Sequence, residues 1–314
     1  MASGRKGLPL AIAHRGFNVG VPENTMMAFK AAIEVGVDAL ETDLHLSRDG
    51  VVVLCHDGSL KRTFGRDAKV KDLDWAELSQ LRTLREPHLP MPRLSDLLAY
   101  LDEPGLEDIW LMLDIKRDDD PEEMMRSVAL TMESTPSRRP WSERVTPCCW
   151  DANYISLSMK YLPAFRITFL GISIKYARQL ANIPNISFSI VKWALASPGG
   201  ACFIRDMKKL GLPVYVWTPN DEYWMEWAIR KQLAGVITDQ VARYNDVCDR
   251  VDDKQENEGP RPITKNRRPI SSTVSLTLRF WAEMVLIHTL MTVFLTVDRV
   301  KNGSIKSQVR KALN

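Results

Sequence analysis

Short apolar runs rich in Val, Ile and Leu recur along the chain, and segments with apolar residues at helical spacing fall between them. The runs cover residues 10–13, 38–43, 109–115, 144–149, 166–171, 187–191, 213–217 and 235–238. Helical spacing is clearest at 24–35, 93–100, 121–133, 200–210 and 222–232. Alternation of strand and helix predicts a parallel sheet, and eight such units predict closure into an α/β fold of the (β/α)₈ TIM-barrel type. A doubly wound open sheet is the alternative, but no GxGxxG or GxxxxGK[ST] stretch supports a nucleotide-binding fold.

One run, 51–55, breaks the alternation. It follows the second strand after Arg48-Asp49-Gly50, and Asp-Gly between two apolar runs predicts a hairpin. With Asp49 and Gly50 as the two turn residues, His56 falls opposite Asp43, and cross-strand partners share a face. Glu41 and Asp43 share a face by the period of two. His45 shares it too, beyond the barrel rim, and reads as a substrate-loop position.

Barrel enzymes carry their chemistry at the carboxyl ends of the strands. Here those ends supply His14-Arg15, Glu41, Asp43, Asp114, Lys116 and Trp217. Three carboxylates on neighbouring ends repel one another unless a cation joins them, and oxygen donors select a hard divalent ion, Mg²⁺ or Ca²⁺. His14 and His56 form an acid–base pair that titrates near neutrality. Arg15 and Lys116 suit an anion, most simply phosphate. Together these groups point to phosphodiester cleavage. Taken singly, each carboxylate reads as a helix cap or surface group and each histidine as structural, Trp217 reads as core, and His88, His288 and the pair Cys148-Cys149 are assigned no role.

Composition narrows the setting. At 314 residues, with 45% hydrophobic and 26% charged side chains, the chain has the balance of a folded protein rather than a disordered, collagen-like or polytopic membrane one. Five cysteines without a CxxC pair argue against a disulfide framework or zinc cluster and for a reducing compartment. The apolar run at 8–13 is shorter than the roughly 7–15 residues of a signal-peptide core and ends in His14-Arg15, so it reads as the first strand. The net charge of +3 conceals an asymmetry. Residues 259–314 hold ten Lys or Arg against Glu283 and Asp298, a net +8, which leaves −5 for residues 1–258. A basic tail on an acidic body disfavours nucleic acid as partner.

The blocks His14-Arg15-Gly16, Pro22-Glu23-Asn24-Thr25, Glu41-Thr42-Asp43, Asp49-Gly50 and His56-Asp57 resemble the glycerophosphodiester phosphodiesterase family. Asp114-Ile115-Lys116 and Trp217-Thr218-Pro219-Asn220 fit its downstream motifs, so the resemblance spans about residues 8–245. It implies a (β/α)₈ barrel in which Glu41, Asp43 and Asp114 bind a divalent cation and His14 and His56 act as general acid and base. Arg15 and Lys116 would contact phosphate, and Trp217 would line the substrate pocket. The family usually carries Glu where this chain has Asp114, so the shorter side chain implies contact through water or from a shifted strand.

Domain organisation is read as a barrel over residues 1–249, a charged linker over 250–273 and an apolar tail over 274–314 with a basic end. The tail's charge-free stretch, 284–297, has 14 residues, whereas a spanning helix needs about 20. It is expected to associate with a membrane, its basic groups attracting anionic lipid, with a helix packed on the barrel as the alternative. Such a chain resembles the fungal branch of the family that cleaves phosphatidylglycerol as a phospholipase C. The implied partners are a phospholipid and a membrane surface, with no protein partner. The implied location is a cytosol-facing membrane of the endoplasmic reticulum, mitochondrial outer membrane or lipid droplet. Hydrolysis of soluble glycerophosphodiesters or lysophospholipids is the alternative within the family, and an inactive membrane-tethered lipid binder the alternative outside it.

Overall fold

The computed structural model describes residues 7–258, and within them nine strands form one sheet. The strands are β1 (Leu10–His14), β2 (Ala39–Leu46), β3 (Val52–Leu54), β4 (Trp110–Ile115), β5 (Val145–Cys149), β6 (Ile167–Gly171), β7 (Ile186–Val191), β8 (Val214–Trp217) and β9 (Gly235–Thr238). All but β3 are parallel, and β1 pairs with both β9 and β2, so eight strands close into a barrel. The predicted runs match these strands closely, and β3 lies antiparallel on β2 as the expected extra hairpin strand. The helical segments predicted from spacing are present, and helices at Ala152–Tyr161, Ile174–Leu180 and Val241–Glu258 complete the outer ring.

The period of two along each strand divides the core into two shells. Ile12, Ala39, Met112, Cys148, Leu170, Tyr215 and Ile237 fill the barrel interior. The alternate residues, such as Leu40, Leu113, Phe169 and Phe188, pack outward against the helices. Three interior hydroxyls satisfy one another: Thr146 Oγ1 lies 3.0 Å from Thr168 Oγ1, which lies 2.7 Å from Ser187 Oγ. Gly16 follows β1 at φ +75°, and a Cβ there would come within 2.7 Å of the Ala28 carbonyl carbon, so only glycine lets this loop lie against the first helix.

The hairpin register differs from the expected one. Leu44 pairs with Leu54, and the Cys55 amide donates to the Asp43 carbonyl, so Cys55 rather than His56 stands opposite Asp43. The loop has three residues, Arg48, Asp49 and Gly50, with Gly50 at φ +79°. A three-residue loop ending in a left-handed glycine is the next commonest hairpin after the two-residue form. Ser47 selects it: its hydroxyl donates to Asp49 Oδ1 at 2.6 Å and accepts from the Val51 amide at 2.8 Å. Cys55 is buried in a small second core with Leu60, Phe64, Val70, Leu78 and Met91. His56 reaches the barrel mouth only because the chain leaves the strand after Leu54.

The helix Val241–Glu258 runs through the first nine residues of the expected linker. Val241, Tyr244, Val247, Cys248 and Val251 recur at helical spacing and are buried against the barrel, which outweighs the local polarity. The remainder of the linker, the apolar tail and His288 lie outside the described residues. Among the described residues no helix is long and apolar enough to cross a membrane.

Arg144 closes the opposite end of the barrel. It is buried and donates to the carbonyls of Leu101, Leu106 and Ile109. Arg144→Ala leaves three carbonyls, that of Leu101 buried, without this donor and opens a cavity, and is expected to cost about 3–5 kcal/mol in a denaturant titration.

Candidate active site

Strand register brings the predicted carboxylates together. His14 pairs with Glu41 across β1 and β2, and Asp43 pairs with Asp114 across β2 and β4. One oxygen from each of Glu41, Asp43 and Asp114 lies within 4.8 Å of the others, and all three residues are buried. Asp114 reaches this cluster in direct register with Asp43 on the neighbouring strand.

Each carboxylate has one oxygen tied down by a fixed donor. Glu41 Oε2 accepts from the Arg15 amide at 3.0 Å. Asp43 Oδ2 accepts from Asn24 Nδ2 at 2.7 Å, and Asp114 Oδ1 accepts from Trp150 Nε1 at 2.7 Å. The Lys116 ammonium bridges the remaining oxygens, 2.6 Å from Asp43 Oδ1 and 2.5 Å from Asp114 Oδ2. Arg15 stands at φ +57°, strained for a non-glycine residue, with its Nε 3.3 Å from Asp43 Oδ2.

The electrostatics reflect crowding. Burial and the Asp43 charge push the Glu41 carboxyl upward, and burial also raises Asp114. Burial works to raise Asp43 as well, but Lys116 and Arg15 overcome it and hold that carboxyl well below the usual range. Three oriented carboxylates, two of them raised by burial and crowding and one held ionised by neighbouring cations, fit a hard divalent cation. Glu41, Asp43 and Asp114 are the residues that could hold it.

The two histidines line the same cavity as Glu41 and Asp114. His14 Nδ1 lies 2.6 Å from Asp239 Oδ1, and Asp239 also accepts from Asn18 and Asn220 at 2.5 Å each. Burial tends to raise the Asp239 carboxyl, but these hydrogen bonds hold it well below the usual range, so it accepts and Nδ1 carries the proton. His56 Nδ1 lies 2.6 Å from Asp57 Oδ1, and Asp57 is likewise lowered, against burial, by Arg62 and His56. Both rings therefore keep Nε2 for chemistry. Burial lowers the His14 imidazole, but Asp239 and Glu41 outweigh it and leave it raised; burial leaves His56 lowered. His45 lies one residue past the last barrel pair of β2, Leu44 with Ile115, and is buried, with Nδ1 3.0 Å from Asp119 Oδ2 and Nε2 3.4 Å from the His56 carbonyl. It supports the His56 backbone rather than facing substrate.

His14, Arg15, Glu41, His56, Asp114, Lys116 and Trp217 line one cavity of about 110 Å³. Its far wall is apolar, built from Met112, Leu170, Ile237 and the edge-to-face pair Trp150–Trp217, whose centroids are 6.1 Å apart. Cys148, unassigned by sequence, also contributes to the wall. The structure thus brings together every residue expected at the site and adds Asn18, Asn24, Asp57, Trp150, Asn220 and Asp239 around them. Asn24, Asp57 and Asn220 stand within the motif blocks. Asp239 and Trp150 each follow directly after a strand, so the strand-end rule that found the others also reaches them.

A closed parallel barrel with buried acidic and imidazole groups at its carboxyl mouth has the groups that cation-assisted acid–base chemistry uses. The sequence profile of the Glycerophosphoryl diester phosphodiesterase family matches residues 14–243, and the chain belongs to that family. It is 46% identical over 72 residues to a glycerophosphodiester phosphodiesterase of Caldanaerobacter subterraneus, covering 23% of this chain and 30% of that protein. It is 46% identical over 67 residues to a lysophospholipase D of Rattus norvegicus, covering 21% of each. Both alignments span less than a third of the relative's own length. An Oleispira antarctica phosphodiesterase, solved in complex with the product sn-glycerol-3-phosphate, superposes with a TM-score of 0.68 at 22% identity. That match covers 77% of this chain and 97% of the other and shows a shared fold.

Proposed function

We propose that the protein hydrolyses phosphatidylglycerol to diacylglycerol and glycerol phosphate, as a phospholipase C. The observation that carries this reading is the cavity itself. At about 110 Å³ it is far smaller than the roughly 300–1,000 Å³ of drug-sized ligand sites, so it suits a headgroup and phosphate with the acyl chains left outside. Phosphatidylglycerol, unlike phosphatidylcholine, is also a lipid whose headgroup brings its own nucleophile, a 2-hydroxyl beside the diester.

Arg15 and Lys116 hold the phosphate oxygens, and Trp217 packs on the glycerol carbons. One of His14 and His56 removes the 2-hydroxyl proton through Nε2 as the oxygen attacks phosphorus. The other protonates the diacylglycerol oxygen as its bond to phosphorus breaks, leaving a cyclic glycerol phosphate. Water then opens the ring with the two proton roles exchanged. Asp239 and Asp57 hold the rings in the required tautomer throughout. A cation held by Glu41, Asp43 and Asp114, Mg²⁺ or Ca²⁺ by donor type, would supply charge neutralisation at the phosphate. The basic segment 259–314 would keep the barrel at an anionic, cytosol-facing membrane surface.

The similarity to a lysophospholipase D favours a second reading, hydrolysis of lysophospholipids or soluble glycerophosphodiesters. Product analysis separates the two. Phosphatidylglycerol vesicles with Mg²⁺ or Ca²⁺ are expected to yield diacylglycerol and glycerol phosphate, and phosphatidylcholine vesicles neither. Equal cleavage of phosphatidylcholine would sink the headgroup assignment. Turnover of soluble diesters alone would leave the second reading standing.

A further inference from the structure

The barrel mouth is bordered on one side by the loop after β1 and on the other by the segment after β3, and one arginine joins them. Arg62 Nε donates to Asp57 Oδ2 at 2.5 Å. Its Nη2 and Nη1 donate to Glu23 Oε1 and Oε2 at 2.6 and 3.1 Å. Asp57 holds His56, as described, and Glu23 Oε1 accepts from Arg15 Nη1 at 3.2 Å. A single guanidinium therefore spans two carboxylates, each of which grips a side chain lining the cavity. Arg62 itself is not among the cavity-lining residues.

The local sequence aims it. Arg62 sits in the short helix Lys61–Phe64, between Leu60 and Phe64, both anchored in the small second core. Gly65, at φ +71°, ends the helix. The backbone at Arg62 is thus fixed by burial on either side while its side chain lies across the mouth, half exposed.

As a contribution to stability, a half-exposed ion pair counts for little. Its geometry has a different consequence. His56 and Arg15 belong to segments 41 residues apart, and each must sit within a fraction of an ångström of its working position. We infer that Arg62 is a positioning residue that holds His56 and Arg15 in one frame through Asp57 and Glu23. The inference rests on the roles given above to His56 and Arg15. Lysine substitutes only in part, because a point charge cannot engage one carboxylate bidentately while bonding a second.

The test uses the full chain with Mg²⁺ and a soluble glycerophosphodiester, glycerophosphoglycerol, so that membrane binding does not enter. Arg62→Ala is expected to lower kcat by about tenfold and to raise KM severalfold, reporting on His56 and Arg15 respectively. Arg62→Lys is expected to recover only part of the loss. Guanidinium ion at low millimolar concentration should restore Arg62→Ala severalfold and leave the wild type unchanged. Arg48, in the hairpin loop, makes a comparable exposed pair with Asp74 and is not among the cavity-lining residues, so Arg48→Ala is expected to be neutral. Glu23→Gln and Arg62→Ala combined should cost less than the product of the single losses. Arg62→Ala kinetics within twofold of the wild type would overturn the inference. So would a loss that follows a fall in Tm and is not rescued by guanidinium or lysine. If the wild type itself does not turn over the diester, it is the assigned reaction that fails, not the positioning role.

Discussion

His14→Ala and His56→Ala are each expected to lower kcat/KM by about 10³-fold, within the range for loss of a positioned general acid or base. The effect should fall on kcat, because neither imidazole is the main anion ligand. The fold should survive both changes. Without His14, Asp239 still accepts from Asn18 and Asn220, so no buried carboxylate is orphaned. Without His56, Asp57 still pairs with Arg62. Steady-state kinetics on a glycerophosphodiester, with thermal melts alongside, provide the check. Activity within tenfold of the wild type would remove the residue concerned from the proton-transfer role.

Chelation is expected to abolish turnover, and Asp43→Asn to do the same with cation present, a loss of about 10³-fold or more if the cation supplies several kcal/mol. Asp43 is the most consequential ligand to change. It lies at the centre of the cluster, in contact with Asn24, Arg15 and Lys116. Removing its charge leaves Lys116 with Asp114 as its remaining carboxylate partner and weakens the divalent site at once. A second signature is independent of catalysis. Mg²⁺ or Ca²⁺ at about a hundredfold excess over Kd should raise the wild-type Tm by roughly 5–10 °C, since it binds only the folded cluster. Asp43→Asn should lose that shift. An unchanged shift in the variant would place the cation elsewhere.

The charge asymmetry and the small cavity bear on the same question from two sides. For the proposed lipid substrate, an acidic barrel would need something to hold it at the bilayer, and residues 259–314, at net +8, would have the charge to do so. The product assay decides whether that pairing is the protein's substrate logic.

The barrel and most of its site were legible in the linear chain. Apolar periodicity located eight barrel strands to within a residue or two at most ends, because alternation and burial act over a few neighbouring residues. The strand-end rule and the motif blocks then named His14, Arg15, Glu41, Asp43, His56, Asp114, Lys116 and Trp217, all of which meet at one mouth. The hairpin register was misjudged by one residue. The hydroxyl of Ser47 selects a three-residue loop, and a side-chain bond of that kind does not appear in a pattern of apolar and polar positions.

Tertiary structure alone decided which groups hold the reactive ones. His14 and Asp239 are 225 residues apart and meet because β9 closes on β1. Trp150 reaches Asp114 only through the packing of β5 on β4. Arg62 reaches Glu23 because a small second core sets its backbone beside the β1 loop. Periodicity is a local property, set by how one segment divides between core and solvent. Closure of a barrel is a sum over every strand pairing, and the partners it creates across the mouth exist only when all eight registers are satisfied together.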